Sequence, residues 1–309
     1  MSHVSRRTRA AMAALAVLPM VGLSLVAAPP ASAATVRDTG RLAFVRANQI
    51  YTSTTSGGDV KKLTSAGKNF RPHWGPGGRR IAYIHQLPGG RHDIWVMRAD
   101  GTHKTQVTHV GGVTEPAWSP DGKWIAYGGG QTAGSRPLFK IRSSAPFGKP
   151  IRLTGNVADG NGDPFVIDTL DWSRDGTKIA YYSDTFPESP DHFMLEYTIA
   201  TKKIRVLDLV GGECCGEGFF GDPAWTRDSS GLAMTVLHYS PPAAEPPGPH
   251  IELANGNGTQ LYDVDPEYSP TGAKIAFANR GRILEADANG SHRSIVTTGY
   301  QPDWQPVFG

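Results

Sequence analysis

Two cysteines in 309 residues, and those two adjacent (Cys214 and Cys215), leave no disulfide framework to hold this chain together. Its stability must come from packing. Charge of one sign is missing too. The 31 Lys and Arg face 28 Asp and Glu, and three of the arginines (Arg6, Arg7, Arg9) sit in an N-terminal leader, so the remainder balances. With no basic run, charge does not draw the chain to nucleic acid or to an anionic membrane. The histidines are scattered without H-x-x-x-H or His–Cys spacing, and no G-x-S-x-G, Walker loop or strand-linked G-x-G-x-x-G occurs. Catalysis has no motif behind it, although a site built from dispersed loop residues would leave none.

Residues 1–33 read as an export peptide: a basic start, an apolar run from Ala10 to Ala28, and the cleavage signal Ala31-Ser32-Ala33. Pro19, Gly22, Pro29 and Pro30 interrupt the run and no charged stop-transfer flank follows, which argues against a retained membrane helix. The Arg pair leaves the general secretory and twin-arginine routes both open. No Cys lies near the cleavage signal, which excludes lipid attachment there. Residues 34–309 are therefore expected to form one exported domain. It would be monomeric, in the cell envelope, the periplasm or the medium, with no membrane insertion after cleavage.

What the chain does have is one phrase written five times and begun a sixth. It reads RPHWGPGGRRIAY (Arg71 to Tyr83), EPAWSPDGKWIAY (Glu115 to Tyr127), TLDWSRDGTKIAY (Thr169 to Tyr181), DPAWTRDSSGLAM (Asp222 to Met234) and DPEYSPTGAKIAF (Asp265 to Phe277), with QPDWQP from Gln301 to Pro306. Each copy is a short strand ending in an aromatic, a turn of Pro, Asp and Gly, and a second apolar strand, the pattern of a β-hairpin. The marker aromatics are 44, 54, 53, 43 and 36 residues apart, while the step from marker to buried apolar residue stays at seven. A rigid hairpin is repeated on elastic connections.

Between these hairpins a second phrase recurs, QIYTSTTSGGDVKKLT (Gln49 to Thr64), DIWVMRADGTHKTQVT (Asp93 to Thr108) and RILEADANGSHRSIVT (Arg282 to Thr297). It too reads as a hairpin, giving four strands per unit. The chain stops at the marker strand of the sixth unit, and GRLAFV (Gly40 to Val45) matches the second strand of the phrase without the first. The predicted fold is all-β, a six-bladed β-propeller of four-stranded antiparallel blades. Pro302 to Trp304 is expected to be innermost in the blade that the N-terminus builds, so that closure hides two sheet edges.

The xPxWSPDGxxIAY phrase resembles the repeat of TolB-type β-propellers, WD-repeat-like domains of bacterial envelope and secreted proteins. The resemblance spans nearly all of Arg41 to Pro306, with Tyr268 and Thr271 as the main departures, and the N-terminal domain of full-length TolB proteins has no counterpart. It implies an interaction platform for a protein or a cell-envelope polymer. The contrasting expectation is a propeller enzyme, a lactonase-like hydrolase or a polysaccharide lyase, working through a channel metal.

The recurring tryptophans and Asp-Gly turns read as scaffold. The variable segments are Gly128 to Arg136, Ser183 to His192, Tyr239 to Pro249, Gly155 to Asp168 and Val210 to Gly221. Because strands alternate in direction, all of them leave one face of the disk, where a scaffold displays binding residues. Loop-face candidates are Asp184, His192, Phe219 and Phe220. The channel mouth would be lined by Arg71, His73, Glu115, Asp171, Asp222, Asp265, Glu267 and Asp303, mainly carboxylate with one basic sector. Asp159, Asn161 and Asp163 place oxygens at alternate positions, as in the first half of a calcium loop. Pro164 stands where such a loop has Gly, and the same string is common turn material. A calcium ion in the acidic mouth is a separate expectation. Cys214 and Cys215 fit a strained vicinal disulfide stiffening a Gly-rich loop, or two free thiols, or a redox pair, in that order.

Overall fold

A computed structural model describes residues 36–37, 40–129, 136–155, 165–185, 192–210, 218–238, 250–253, 259 and 262–308, all within one compact unit, Ala34–Gly309. The leader, the Asp159–Asp163 string and the Cys214–Cys215 pair lie outside the described residues. Among those described, no helix is long and apolar enough to cross a membrane.

Six antiparallel sheets form the blades of a propeller. From the axis outward, blade 1 is Lys68–Trp74, Arg80–Gln86, His92–Arg98 and Thr105–Gln106. Blade 2 is Ala117–Trp118, Trp124–Gly128, Leu138–Arg142 and Ile151–Arg152. Blade 3 is Phe165–Trp172, Lys178–Thr185, His192–Thr198 and Lys203–Val210. Blade 4 shows three strands among the described residues, Gly218–Trp225, Leu232–His238 and His250–Glu252. Blade 5 is Asp263–Tyr268, Lys274–Asn279, Arg282–Asp287 and Ser294–Thr298. Blade 6 joins the two ends of the chain: Tyr300–Trp304 is innermost, followed by Arg41–Arg46, Gln49–Thr54 and Lys61–Lys62. The pairs Leu42–Trp304 and Ala43–Asp303 close the ring as the split phrase predicted. Val36–Arg37 and Val307–Phe308 add a two-stranded ribbon beside the closure.

The repeated phrase works as packing. In the second strand of every blade the small residue (Ala43, Ala82, Ala126, Ala180, Ala233, Ala276) has no exposed surface. Its neighbours, such as Ile81 and Tyr83, are buried on the other face. Middle strands covered on both sides lose the usual in–out alternation. The marker aromatics seal blade to blade: Trp118 donates its indole N–H to the His73 carbonyl of blade 1 (3.0 Å), and Trp225 to the Asp171 carbonyl of blade 3 (3.3 Å). Gly75 leaves the room this needs, since a Cβ there would meet the Trp118 ring at 3.1 Å.

The inner strands also carry a feature with no overt sequence signal. In blades 1, 3, 4, 5 and 6 the register with the second strand slips by a β-bulge just before the marker aromatic. In four of them the residue before a proline takes a left-handed conformation, with φ of 50° at Arg71, 46° at Asp222, 55° at Asp265 and 51° at Gln301. That conformation is costly for a residue preceding proline, so neighbouring contacts must hold it. The proline has no N–H to leave unpaired in the bulge.

Candidate functional site

The bulges aim polar groups at the axis, where they join into a ring that passes through every blade. Glu115 of blade 2 accepts from the Leu170 N–H of blade 3 (3.2 Å), and Thr169 of blade 3 accepts from the Asp222 N–H of blade 4 (2.9 Å). Thr235 of blade 4 contacts the Asp222 carboxylate (3.3 Å) and accepts from the Asp265 N–H of blade 5 (3.2 Å). Asp265 accepts from the Gln301 N–H of blade 6 (3.0 Å), and the Gln301 side chain accepts from the Arg71 N–H of blade 1 (2.9 Å). The Arg71 guanidinium then closes the circle on Glu115 (3.2 Å) and also reaches Asp222 (3.1 Å). In a ring of six, blades 1 and 4 stand opposite, so Arg71 is a strut across the channel.

A second level lies one turn of the pleat further in. Asp171 accepts from the Trp225 N–H (3.0 Å) and Asp303 from the Trp74 N–H, each tying one blade to the next. Arg174 of blade 3 reaches Glu267 of blade 5 at 2.5 Å, a second strut. His73 faces Asp303 at 3.8 Å, too far for a hydrogen bond. Between the two levels remains a cavity of about 30 Å³, room for roughly one water.

Enclosure sets the protonation of this site. Burial pushes the Glu115 and Glu267 carboxyls up to about 7, against the pull of Arg71 and Arg174 respectively. Burial and the neighbouring Asp222 raise Asp265 to about 8. Burial and Glu267 hold Asp303 well above the usual carboxylate range. Burial takes His73 down to about 4, which Asp171 only partly offsets, so its imidazole is neutral at physiological pH. Burial alone would lower Arg71, but Glu115, Asp222, Asp168 and Asp265 more than offset it and hold the guanidinium charged.

All eight residues expected at the mouth thus meet in the channel, held largely by one another. The mouth is less one-sidedly acidic than expected, because Arg174 brings a second guanidinium. Thr169, Thr235 and Gln301 also belong to the site. Among the described residues no group of three or more His, Cys, Asp and Glu side chains is placed to hold a metal ion. The loop-face candidates stand on strands instead of in loops: Asp184 pairs with His192 between the second and third strands of blade 3, and Phe219 and Phe220 pair with Leu237 and Val236 in blade 4. The hairpins of blades 3 and 4 simply run on past the disk. On the same face, a pocket of about 340 Å³ lies between blades 1 and 2, lined by Phe70, His92, Glu115, Arg136 and Asp168 beside Arg71.

A closed six-bladed propeller whose channel is braced by polar struts defines the class of this protein. Within that class the fold is similar to that of the TolB propellers. It superposes on TolB of Acinetobacter baumannii with a TM-score of 0.68 at 20% identity, over 87% of this chain and 68% of that one. A putative TolB of Agrobacterium tumefaciens matches with a TM-score of 0.52 at 16% identity, over 85% and 80%. Hydrazine synthase of Kuenenia stuttgartiensis matches at 0.62 and 12% identity, over 88% of this chain and 47% of that one. At such identities the likeness is one of fold. No protein-family model matches the sequence, and no curated protein matches it.

Proposed function

We propose that residues 34–309 are an exported, non-catalytic binding scaffold that engages a protein segment or a cell-envelope polymer through the long-connection face. The observation that carries this reading is the asymmetry of the disk. The turns that close the repeated hairpin are short, whereas the extended hairpins of blades 3 and 4, their long connections and the 340 Å³ pocket share the face where Arg71 braces the channel. The export signal read in residues 1–33 and the TolB-type fold support an envelope or extracellular setting. The channel carboxylates accept from neighbouring backbone N–H groups and guanidiniums, the work of a brace.

A pull-down from envelope extract tests the proposal, using the wild type and a variant with residues 213–217 replaced by Gly and Ser. That segment precedes the strand at Gly218, so the blade is kept. The wild type should recover a partner that the variant loses. Identical recovery by both would sink the loop-face reading. Turnover of a lactone or a uronate polymer, abolished by Asp171→Asn, would favour the enzyme reading instead.

A further inference from the structure

The opposite end of the channel, where the short turns lie, has its own cavity. It is a bowl of about 280 Å³ walled by Trp74, Trp118, Trp172, Tyr268 and Trp304 and rimmed by prolines. The rim departs from the repeat at one place. Two residues after the marker aromatic stand Pro76, Pro120, Pro270 and Pro306 in blades 1, 2, 5 and 6, but Arg174 and Arg227 in the adjacent blades 3 and 4. Proline is the favoured residue at this corner of a tight turn, so the two arginines are not what the turn itself asks for.

Their situations differ. Arg174 lines the bowl and is tied to Glu267, which lines the inner cavity. Arg227 is exposed and, among the described residues, has no carboxylate within ion-pair distance; its one hydrogen bond to them is a long one, 3.4 Å, to the Thr271 carbonyl. Gly272 keeps space beside it, since a Cβ there would lie 3.0 Å from the Arg227 Cβ. Across the ring, the indole N–H groups of Trp74 and Trp304 are the ones in the bowl wall without an acceptor, whereas Trp118 and Trp172 have theirs. Those two nitrogens are sealed from solvent and shape the field more than they offer contacts. The one acid in the wall, Asp171, is buried and holds the Trp225 N–H, and His73 is neutral. Among the described residues that line the bowl, Arg227 is the cation without a carboxylate partner, while the one acid is buried and turned to a backbone N–H.

We infer that this bowl is a second binding site, for a small anionic ligand with a flat or cyclic apolar body. The carboxylate or comparable acid group would pair with Arg227, and the body would lie against the proline rings and tryptophan edges. A guanidinium offers two parallel donors to such a group. Arg227 and Tyr268 also line a groove that leads outward between blades 4 and 5, giving a longer ligand an exit. The site goes beyond the proposed scaffold role, because it lies on the other face of the disk.

Fluorine NMR with 4-(trifluoromethyl)benzoate as probe, and 4-(trifluoromethyl)benzyl alcohol as its uncharged counterpart, tests it. The acid should bind with a dissociation constant below about 1 mM and at least about tenfold more tightly than the alcohol. Arg227→Gln and Arg227→Glu should each weaken the acid about tenfold or more, while Arg142→Gln, the same charge removed from the rim of blade 2, should not. Absence of acid binding up to about 10 mM, equal binding of acid and alcohol, an Arg227 variant that binds as the wild type does, or an equal loss in Arg142→Gln would each overturn the proposal.

Discussion

The two ends of the channel are built from the same six repeats and put their charges to opposite use. At the long-connection end, Arg71 meets Glu115 and Asp222 while the bulge N–H groups find acceptors on adjacent blades, so that charge there is a form of cohesion. At the short-turn end the walls are aromatic and proline, and Arg227 stands without a carboxylate partner among the described residues. A channel crowded with ionisable groups is therefore not by itself the working site. What separates brace from site is whether each charge already has its partner.

That contrast can be broken at several points. The largest effect belongs to the shared scaffold: Trp225→Ala, removing a side chain that is 2% exposed, should cost about 3–5 kcal/mol in urea unfolding. Trp124→Ala, outside the marker series, removes a half-buried side chain that packs against the core of blades 2 and 3 beneath Lys140 and Arg142, and should cost less than Trp225→Ala. Next comes Arg71→Gln, which strips two enclosed carboxylates of their cation and should cost about 1–3 kcal/mol by the same measurement. A smaller loss than that of Arg227→Gln would reverse the assignment of the two ends.

Acidity probes the brace more gently. Glu115, Glu267 and Asp265 have folded pKa values raised to about 7, 7 and 8, so the folded protein keeps protons that the unfolded chain has released. Their contribution is full below about pH 4, where the unfolded carboxyls titrate, and is lost as the pH rises through the folded values. The melting temperature should therefore fall between about pH 5 and 8.5, by at least about 2 °C if the loss reaches 1 kcal/mol in a domain of this size. Glu267→Gln combined with Asp265→Asn should flatten the profile. A melting temperature that climbs over this interval would show the carboxylates ionised and stabilising, contrary to their enclosure. The smallest effect is expected at Arg227→Gln, within about 0.5 kcal/mol of wild type, because that exposed guanidinium makes only the long hydrogen bond to the Thr271 carbonyl among the described residues.

Much of the fold was legible because it is periodic. The constant seven-residue step announced the hairpins, and the split between Gly40–Val45 and Pro302–Trp304 announced the closure that the Leu42–Trp304 pair makes. The eight channel residues were legible as well, since they precede the marker aromatic in each copy. Their relations were not. The bulges at Arg71, Asp222, Asp265 and Gln301 depend on a left-handed backbone before proline, which residue preference argues against, so the inter-blade ring had no signal. Asp184 and His192 read as loop because Pro187, Pro190 and acidic residues surround them, yet the two pair at the end of an extended hairpin. Phe219 and Phe220 follow a glycine-rich stretch and read as loop for the same reason. Arg174 and Arg227 were visible as departures from Pro at one position. Their meaning appeared only when both proved to face one bowl, with only one of them matched to an acid.

The difference between brace and site is tested most directly by unfolding free energies of Arg71→Gln and Arg227→Gln measured side by side with the wild type. The first should lose about 1–3 kcal/mol and the second should change by no more than about 0.5 kcal/mol. Equal losses, or the larger loss at Arg227, would contradict that difference.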